Sequence, residues 1–281
     1  MAAHGHGINK GIALHAFIQA IAANLVSAGV RLIPLGQSDG QKVIVKLERV
    51  IEVSSNAASS AKISEKGMKT AMEVINPGVR QCDAVGEIQK SLFYGTEEFG
   101  GEYASIATLV PTGKGTSASH LTASQDKFVE GEATIIELSG TYKRYHAPMA
   151  RTVLLGKPDQ TKIDTMNKTI EALNSGISVI KPGNTANDVA QAFWKILDKY
   201  GIEKKSRTGY SIGIGYPPDW GEHTLNIYKG DMTVLEPNVC FHMIAVMQFG
   251  DWGVEASEAI RVTENGSELF CNFPKELHIK S

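Results

Sequence analysis

The sequence predicts an α+β domain made of two similar αββ-type halves that face each other across a central cleft. The phrase INPGVRQCDAVGEI begins at Ile75, and IKPGNTANDVAQAF, which begins at Ile180, matches its Ile-x-Pro-Gly-x-x-x-x-Asp frame position for position. The apolar segments that follow, VEGEATIIELSG from Val129 and LEPNVCFHMIAV from Leu235, match at nearly the same offset. Because a constant offset indicates duplicated supersecondary units, each half should contain a helix, a Pro-Gly turn, a second helix and then strands.

The elements follow in order along the first half. Residues 12–26 have the pattern of a helix, and the polar, glycine-containing residues 33–41 are expected to form a loop. Small and apolar residues recur at helical spacing over residues 48–74, which predicts a long helix. Pro77-Gly78 should end it, and Asp83 is placed to begin the next helix.

Composition excludes several classes of function. The chain has 281 residues, 42% of them hydrophobic, and a net charge of -2, so it can bury a core but has no bulk charge to attract nucleic acid or an anionic membrane. No apolar run reaches the roughly 18 residues of a membrane helix, and the first residues lack the pattern of a secretory signal. Three widely spaced cysteines argue against a disulfide framework and predict reduced thiols in a cytoplasmic protein.

The stretch ELSGTYKRYHAPMARTV contains the first catalytic candidate. Glu137 ends an apolar run that reads as a buried strand, where a charged carboxylate is costly unless it has a partner or a task. It is therefore a candidate general base or nucleophile. The alternative is a structural carboxylate that bonds to the backbone or to Arg151. Tyr145 and His146, from the same stretch, are candidates for contacting a substrate.

His120 is the second catalytic candidate. It lies in the polar segment TSASHLTASQD, directly before the strand that carries Glu137. A histidine in such a loop can move protons at neutral pH. The alternative is an ordinary solvated histidine.

Two later stretches supply candidate substrate-binding residues. The first is RTGYSIGIGYPPDWGEH, which fits no dinucleotide-binding or phosphate-loop pattern. Its Tyr210, Tyr216 and Trp220 could wall a small pocket or stack on a cation. The alternative is a tight turn whose aromatic side chains pack on each other.

GDWGVEASEAI offers Trp252, Glu255 and Glu258. The two glutamates are three residues apart, so on a strand they face opposite sides and only one of them should face the cleft. A metal is the rival explanation for clustered carboxylates, but the chain has no H-x-x-x-H or H-E-x-x-H motif. The alternating histidines of HGHG near the start are judged incidental.

The duplicated plan and the order of motifs resemble the pita-bread family of creatinase, prolidase, aminopeptidase P and methionine aminopeptidase, from about residue 45 to residue 280. Metallopeptidases of that family use five ligands. The positions that match them here are Glu137, Pro148, Tyr210, Ile244 and Ser257. Because one position of the five keeps an oxygen anion, the resemblance implies a metal-free, cofactor-free member, as creatinase is. It also places His120 at the acid/base position of creatinase-like members.

Within the family the chain is similar to ectoine hydrolases, on EFGGEYASIATLVPTG, SASHLT, ELSGTYKRYHAPMARTV, SRTGYSIGIGYPPDWGE and VLEPNVCFHMIAVMQFGDWGVEASEAI. This implies hydrolysis of ectoine, a cyclic amidine that carries a carboxylate, to N-acetyl-2,4-diaminobutyrate; hydroxyectoine is the alternative substrate. Glu137 and His120 would act on the amidine carbon and the departing nitrogen, Glu255 or Glu258 would pair with the amidinium, and Arg207 would meet the substrate carboxylate. Arg151 could also meet the substrate carboxylate, but a structural role is favoured for it.

The resemblance also carries expectations about assembly and domains. It implies a homodimer, a remnant of an N-terminal domain and linker in residues 1–45, and a catalytic domain in residues 46–281. Two other functions are kept open. One is a metal-dependent Xaa-Pro peptidase or dimethylsulfoniopropionate lyase of the same fold, and the other is a non-catalytic pita-bread module that binds a peptide or protein.

Overall fold

The computed structural model describes residues 12–21, 26 and 37–280, and residues 12–21 are helical. Four α-helices and a short 3-10 helix follow among the described residues: α1 (Gln37–Val74), α2 (Gln81–Tyr94), the 3-10 helix (Gly113–Ser117), α3 (Gln160–Ser178) and α4 (Ala186–Lys199). None of the described helices is long and apolar enough to cross a membrane.

Eight strands form one sheet: β1 (Ala133–Tyr142), β2 (Tyr145–Leu155), β3 (Gly209–Tyr216), β4 (Asp219–Asn226), β5 (Cys240–Phe249), β6 (Trp252–Val262), β7 (Ser267–Leu269) and β8 (Leu277–Lys280). β1 and β2 form an antiparallel hairpin, and β5 and β6 form its counterpart in the second half. β3 joins the halves, since it pairs with both β2 and β5. Each half has its own cluster of buried apolar side chains.

The duplication predicted from the Pro-Gly phrases is confirmed by matching backbone geometry. Gly78 and Gly183 both have positive φ, of 85° and 88°, a conformation that glycine adopts without steric cost. The Gly78 N–H donates to the carbonyl of Phe128 at 2.8 Å, and the Gly183 N–H donates to the carbonyl of Leu235 at 3.1 Å. The helices that follow, α2 and α4, each have 14 residues. The repeated phrase therefore encodes the same turn twice.

Helix α1 is bonded directly to the hairpin that carries Glu137. The Ser60 hydroxyl donates to the carbonyl of Tyr145 at 2.7 Å, and the Ser64 hydroxyl donates to that of Ala147 at 2.5 Å. The Gly140 N–H in turn donates to the Ser64 hydroxyl at 2.7 Å. A Cβ at Gly140 would lie 2.3 Å from the Ser60 carbonyl oxygen, so this close approach requires glycine. These bonds hold β1 and β2 in place against α1.

The two hairpins are locked together by a buried ion pair between β2 and β6. The Arg151 guanidinium is fully buried, and its Nη2 lies 2.7 Å from Oε1 of Glu258. Arg151 also donates to the carbonyls of Ala150, Ser257, Phe273 and Pro274. Because every donor direction is used within the core, Arg151 has the structural role that the sequence left as an alternative.

The predicted bounds of the first helices need correction. Residues 37–41 are helical, although they were expected to belong to a loop, because α1 begins at Gln37 and continues through Ser38, Asp39 and Gly40. A single glycine costs a helix about 1 kcal/mol, which the remaining turns of a 38-residue helix outweigh. Of the helix predicted over 12–26, residues 12–21 are helical and residues 22–25 lie outside the described residues, as does HGHG.

Candidate active site

A cavity of about 560 Å³ opens between the two hairpins. Its polar lining includes Glu137, Glu255, Asp219, Arg207, Tyr210 and His120, and its apolar lining includes Ile106, Leu109, Ile135, Ile244 and Val246. A cavity of this size with few converging polar groups is typical of a small-molecule site. The two halves thus bring together residues that are more than a hundred positions apart in the chain.

Glu137 lies on β1 with its backbone fixed from outside the hairpin. Its N–H donates to the carbonyl of Leu109 at 3.0 Å, and its own carbonyl accepts from the Leu109 N–H at 2.9 Å. The residue is 7% exposed, and no residue that the structure describes bonds to its carboxylate. Burial, followed by the nearby charges of Glu255 and Asp219, raises the pKa of Glu137 well above its usual value. Glu137 is thus a buried carboxyl that is available to a ligand.

Glu255 faces the same cavity from β6. Its N–H donates to Oγ1 of Thr152 at 2.8 Å, and the Thr152 hydroxyl donates to the Glu255 carbonyl at 2.9 Å, which fixes this strand against β2. Burial raises the pKa of Glu255 to about 7, and the charge of Lys204 opposes that rise. Burial in turn lowers the pKa of Lys204 to about 8. Two carboxyls with raised pKa values in one cavity are typical of acid/base or cation-binding sites.

Tyr210 and Arg207 form the wall of the cavity beside the two carboxyls. The Arg207 guanidinium lies 4.4 Å from the centre of the Tyr210 ring and bonds to Oδ1 of Asn226 at 2.5 Å. Trp220 Nε1 donates to the Tyr210 hydroxyl at 2.7 Å. The same hydroxyl lies 3.1 Å from Nδ1 of His242. Tyr210 thus lines the cavity while its hydroxyl is held by two buried hydrogen bonds.

His120 lies at the cavity on the loop after the 3-10 helix. It is an exposed residue with φ of 62°, a left-handed conformation that histidine adopts more readily than most residues. The neighbouring Ser119 hydroxyl accepts from the amide of Gln248, 3.4 Å away, across the cavity. The structure thus brings His120 and Glu137, which the sequence predicted as a catalytic pair, to one cavity.

Trp220, Trp252 and Glu258 do not line this cavity, although the sequence predicted that they contact substrate. Trp220 is fully buried and supports Tyr210 from behind. Trp252 stacks on Phe249 at the turn of the β5–β6 hairpin, with ring centres 4.7 Å apart. Glu258 faces the opposite side of β6 from Glu255, as the strand spacing predicted, and pairs with Arg151.

Tyr145 and His146 also lie elsewhere. Both line a second cavity of about 800 Å³ on the far side of β3. His146 accepts from the Ser105 N–H at 3.0 Å, and burial lowers its pKa to about 4, so it is a neutral core histidine. The register of the β1–β2 hairpin explains this placement. Glu137 pairs with Ala150, whereas Tyr145 and His146 pair with Tyr142 and Thr141 at the turn end of the hairpin.

Two charged residues at the site were not singled out from the sequence. Asp219 lines the cavity from the start of β4, and Lys204 acts electrostatically on Glu255 from the segment before β3. Asp219 lies within SRTGYSIGIGYPPDWGE, one of the stretches that are similar to ectoine hydrolases, so it could have been found from its place beside the aromatic residues. Lys204 had no such signal, because it follows a helix in a run of charged residues.

Comparison with known proteins identifies the family. The sequence model of metallopeptidase family M24 matches residues 56–264. The chain belongs to metallopeptidase family M24. Ectoine hydrolase of Halomonas elongata is 43% identical over 215 residues, which cover 74% of this chain and 54% of the relative. The uncharacterized hydrolase/peptidase y4tM of Sinorhizobium fredii is 38% identical, over 84% of this chain and 59% of the relative.

Solved structures of M24 members share the fold. Prolidase from Pyrococcus furiosus superposes with a TM-score of 0.73 at 21% identity, over 79% of this chain and 64% of that protein. X-Pro aminopeptidase from Thermotoga maritima superposes with a TM-score of 0.74 at 19% identity, over 86% of this chain and 66% of that protein. The predicted pita-bread fold with two pseudo-symmetric halves is confirmed.

The chain spans little more than half of the length of the curated relatives named above, 54% and 59%. A sequence model of UreF matches residues 1–48, most of which lie outside the described residues. The assignment of residues 1–45 to an N-terminal remnant and of residues 46–281 to the catalytic domain stays a prediction.

The donor set of this chain does not fit the metal centre that the family name implies. Among the described residues, no group of three or more His, Cys, Asp or Glu side chains is placed to hold a metal ion. Of the five positions that match the family's ligands, Tyr210 and Ile244 present a phenol and an alkyl chain to the cavity. The Ser257 hydroxyl is engaged by His242 and by the Ala150 N–H. No step below passes through a metal.

Proposed function

We propose that this chain is the catalytic domain of a hydrolase that opens the cyclic amidine of ectoine to N-acetyl-2,4-diaminobutyrate. The observation that carries the proposal is the pair of buried carboxyls, Glu137 and Glu255, that face one small cavity with no bonding partner of their own among the described residues. Support comes from the relative named ectoine hydrolase, which is 43% identical. The general class, a hydrolase, is shared with the peptidases of the family.

The charges of the cavity suit a zwitterion with a delocalised cation at one end and a carboxylate at the other. Glu255 and Glu137 are desolvated carboxyls, and an amidinium would offset the cost of ionising them. Arg207 lines the same cavity, where its guanidinium can meet the substrate carboxylate. The face of Tyr210 adds a surface on which a planar cation can stack. Ectoine carries both poles in one small ring.

The reaction requires addition of water to the amidine carbon and cleavage of one carbon–nitrogen bond. Glu137 acts either as a base that takes a proton from the attacking water or as a nucleophile that adds to the carbon itself. Burial raises the pKa of Glu137 well above its usual value, which makes the ionised carboxylate a stronger proton acceptor. His120, exposed on its loop, exchanges protons between the cavity and solvent.

The proposed reaction is independent of metal, because the positions that match the ligands of the metallopeptidases carry Tyr210, Ile244 and Ser257. A homodimer and a cytoplasmic location stay predictions, as do a metal-dependent Xaa-Pro peptidase activity and a purely binding role. A small zwitterion, rather than nucleic acid or a membrane, is the proposed partner.

The test is a mass-balance assay on purified, chelator-treated protein incubated with ectoine, in which N-acetyl-diaminobutyrate is followed by mass spectrometry. Glu137→Gln serves as the inactive variant, and full-length ectoine hydrolase of Halomonas elongata serves as the positive control. We expect product from the wild type and none from Glu137→Gln. If the wild type leaves ectoine intact while the positive control consumes it, the proposal fails for this chain.

A parallel incubation with an Xaa-Pro dipeptide, with and without added divalent metal, tests the rival activity. Release of proline that depends on the metal would favour the peptidase. No hydrolysis of the dipeptide is the expected result, because the cavity presents carboxyls, a phenol and an alkyl chain in place of the ligand set.

A further inference from the structure

A chain of buried hydrogen bonds runs beneath the cavity from Trp220 through Tyr210 and His242 to Ser257. Trp220 Nε1 lies 2.7 Å from the Tyr210 hydroxyl, which lies 3.1 Å from Nδ1 of His242. Nε2 of His242 lies 2.6 Å from Oγ of Ser257, which also accepts from the Ala150 N–H at 2.7 Å. Of the four side chains, Tyr210 is the one that lines the cavity with Glu137.

The direction of each bond in this chain follows from counting donors and acceptors. The indole N–H of Trp220 and the backbone N–H of Ala150 can only donate. His242 is completely buried, and burial lowers its pKa to about 3, so its ring is neutral. One of its ring nitrogens therefore donates and the other accepts.

Ser257 decides which nitrogen of His242 carries the proton. If Nε2 carried it, Oγ of Ser257 would accept from both His242 and Ala150. The proton of the Ser257 hydroxyl would then have no acceptor among the described residues, although the side chain is fully buried. An unsatisfied buried donor is costly. The Ser257 hydroxyl therefore donates to Nε2, and Nδ1 of His242 carries the proton.

With the proton on Nδ1, the phenol oxygen of Tyr210 accepts two hydrogen bonds, one from Trp220 and one from His242. Its own proton cannot point back along this series of hydrogen bonds, which leaves it free to point into the cavity that Tyr210 lines. Burial, followed by the charge of Glu137, raises the pKa of Tyr210, so the phenol keeps this proton at neutral pH. The two N–H groups on the oxygen would also stabilise negative charge that develops there during a reaction.

We propose that Tyr210 is a catalytic proton donor to the departing ring nitrogen of the substrate, with His242 and Ser257 as positioning residues that aim its hydroxyl. The inference rests on the proposed function and assigns a residue to its bond-breaking step. A nitrogen of an amidinium has its lone pair delocalised into the C–N system and is a poor acceptor. After addition at the carbon the nitrogen has a localised lone pair, so a fixed donor binds the adduct better than the substrate.

The step balances without any added reactant. As the carbon–nitrogen bond of the hydroxylated adduct breaks, its electron pair goes to the nitrogen, which takes the proton of Tyr210. The carbon forms a double bond to its hydroxyl oxygen, and the tyrosinate takes the proton of that hydroxyl. The products are the amide and the free amine, and Tyr210 is returned to its starting state.

The first experiment measures the tautomer of His242 and needs no activity. The protein is labelled with ¹⁵N-histidine, its histidine ¹⁵N–¹H correlations are recorded by NMR, and the signals of residue 242 are assigned by their loss in His242→Gln. We expect a protonated Nδ1 and an unprotonated Nε2. A protonated Nε2 overturns the inference, because the proton of Tyr210 would then be directed at His242.

The second experiment measures turnover of ectoine. Tyr210→Phe should lower kcat about 10²- to 10³-fold with little change in KM. Tyr94→Phe, at an exposed tyrosine on α2 that lines neither cavity, is the matched control and should keep its activity. Fluorotyrosines placed at position 210 keep the fold and make the phenol a stronger acid. A proton donor predicts that kcat changes progressively with fluorination, which a purely structural phenol would not show.

The outcomes separate this inference from the proposed function. If the wild type turns over ectoine but Tyr210→Phe stays within about threefold of it, the proposed function stands and the role of Tyr210 is overturned. If the wild type and Tyr94→Phe are equally unable to open ectoine, the proposed function fails, and the catalytic role of Tyr210 fails with it. The NMR result then decides whether the hydroxyl is still aimed into the cavity as a donor.

Discussion

Replacing Glu255 with glutamine should make the protein more stable at pH 8 and leave its stability unchanged at pH 4. The pKa of Glu255 is raised to about 7 by burial, whereas an ordinary glutamate has a value near 4.5. At about 1.36 kcal/mol for each tenfold change in proton affinity, ionising Glu255 within the fold costs about 3 kcal/mol. Glutamine keeps the shape of the side chain and removes the charge.

The sign follows from proton linkage. Between pH 4.5 and 7 the unfolded chain releases the proton of Glu255 while the folded chain retains it, so the free energy of unfolding falls as the pH rises. Above pH 7 both states are ionised and the loss is complete. The advantage of Glu255→Gln over the wild type should therefore be absent near pH 4, grow through this window and reach about 2 to 3 kcal/mol at pH 8.

Urea unfolding of both proteins at pH 4, 5, 6, 7 and 8, followed by circular dichroism, measures this difference. Glu264→Gln, at an exposed carboxylate, is the matched control and should follow the wild type at every pH. If the wild type and Glu255→Gln stay within about 0.5 kcal/mol of each other across the range, Glu255 is not a desolvated carboxyl and the argument for a cation-binding cavity loses its basis.

Three further predictions concern the site and its support. In an active preparation, kcat/KM for ectoine should rise with pH and level off above about pH 7, since the ionised form of Glu255 binds the amidinium. This dependence on pH should be absent from the profile of Glu255→Gln. Arg151→Met should lower the free energy of unfolding in urea by about 3 to 5 kcal/mol, because it leaves the buried Glu258 carboxylate with Lys275, 3.7 Å away, as its remaining cationic partner among the described residues. The further change Glu258→Leu should restore much of the loss. Gly215→Ala should lower the melting temperature, with a cost of about 1 to 3 kcal/mol, because its Cβ would lie 3.0 Å from Cα of Trp220; a variant as stable as the wild type would contradict that contact.

Much of the architecture was predictable because short sequence patterns specify its turns and helices, and the same pattern occurs in both halves of the chain. The Pro-Gly turns at Gly78 and Gly183 require a positive φ, and the strand that carries Glu137 begins with an apolar run that is recognisable in the sequence. The spacing of Glu255 and Glu258 also predicted that only one of them faces the cleft. The start of α1 was missed because Ser38, Asp39 and Gly40 are typical of a loop, and the context of a long helix overrides their local preference.

The sequence by itself determined the duplicated α+β plan, the family, and the candidate pair of Glu137 and His120. Only the tertiary structure decided which aromatic and acidic residues meet that pair. Four residues have side chains that are typical of a binding site, yet none of them lines the cavity of Glu137: Trp220, Trp252, Tyr145 and His146. Tyr145 and His146 line the second cavity instead. The reason is physical: side-chain type is a local property, whereas burial, charge proximity and hydrogen-bond direction depend on strands that meet from distant parts of the chain.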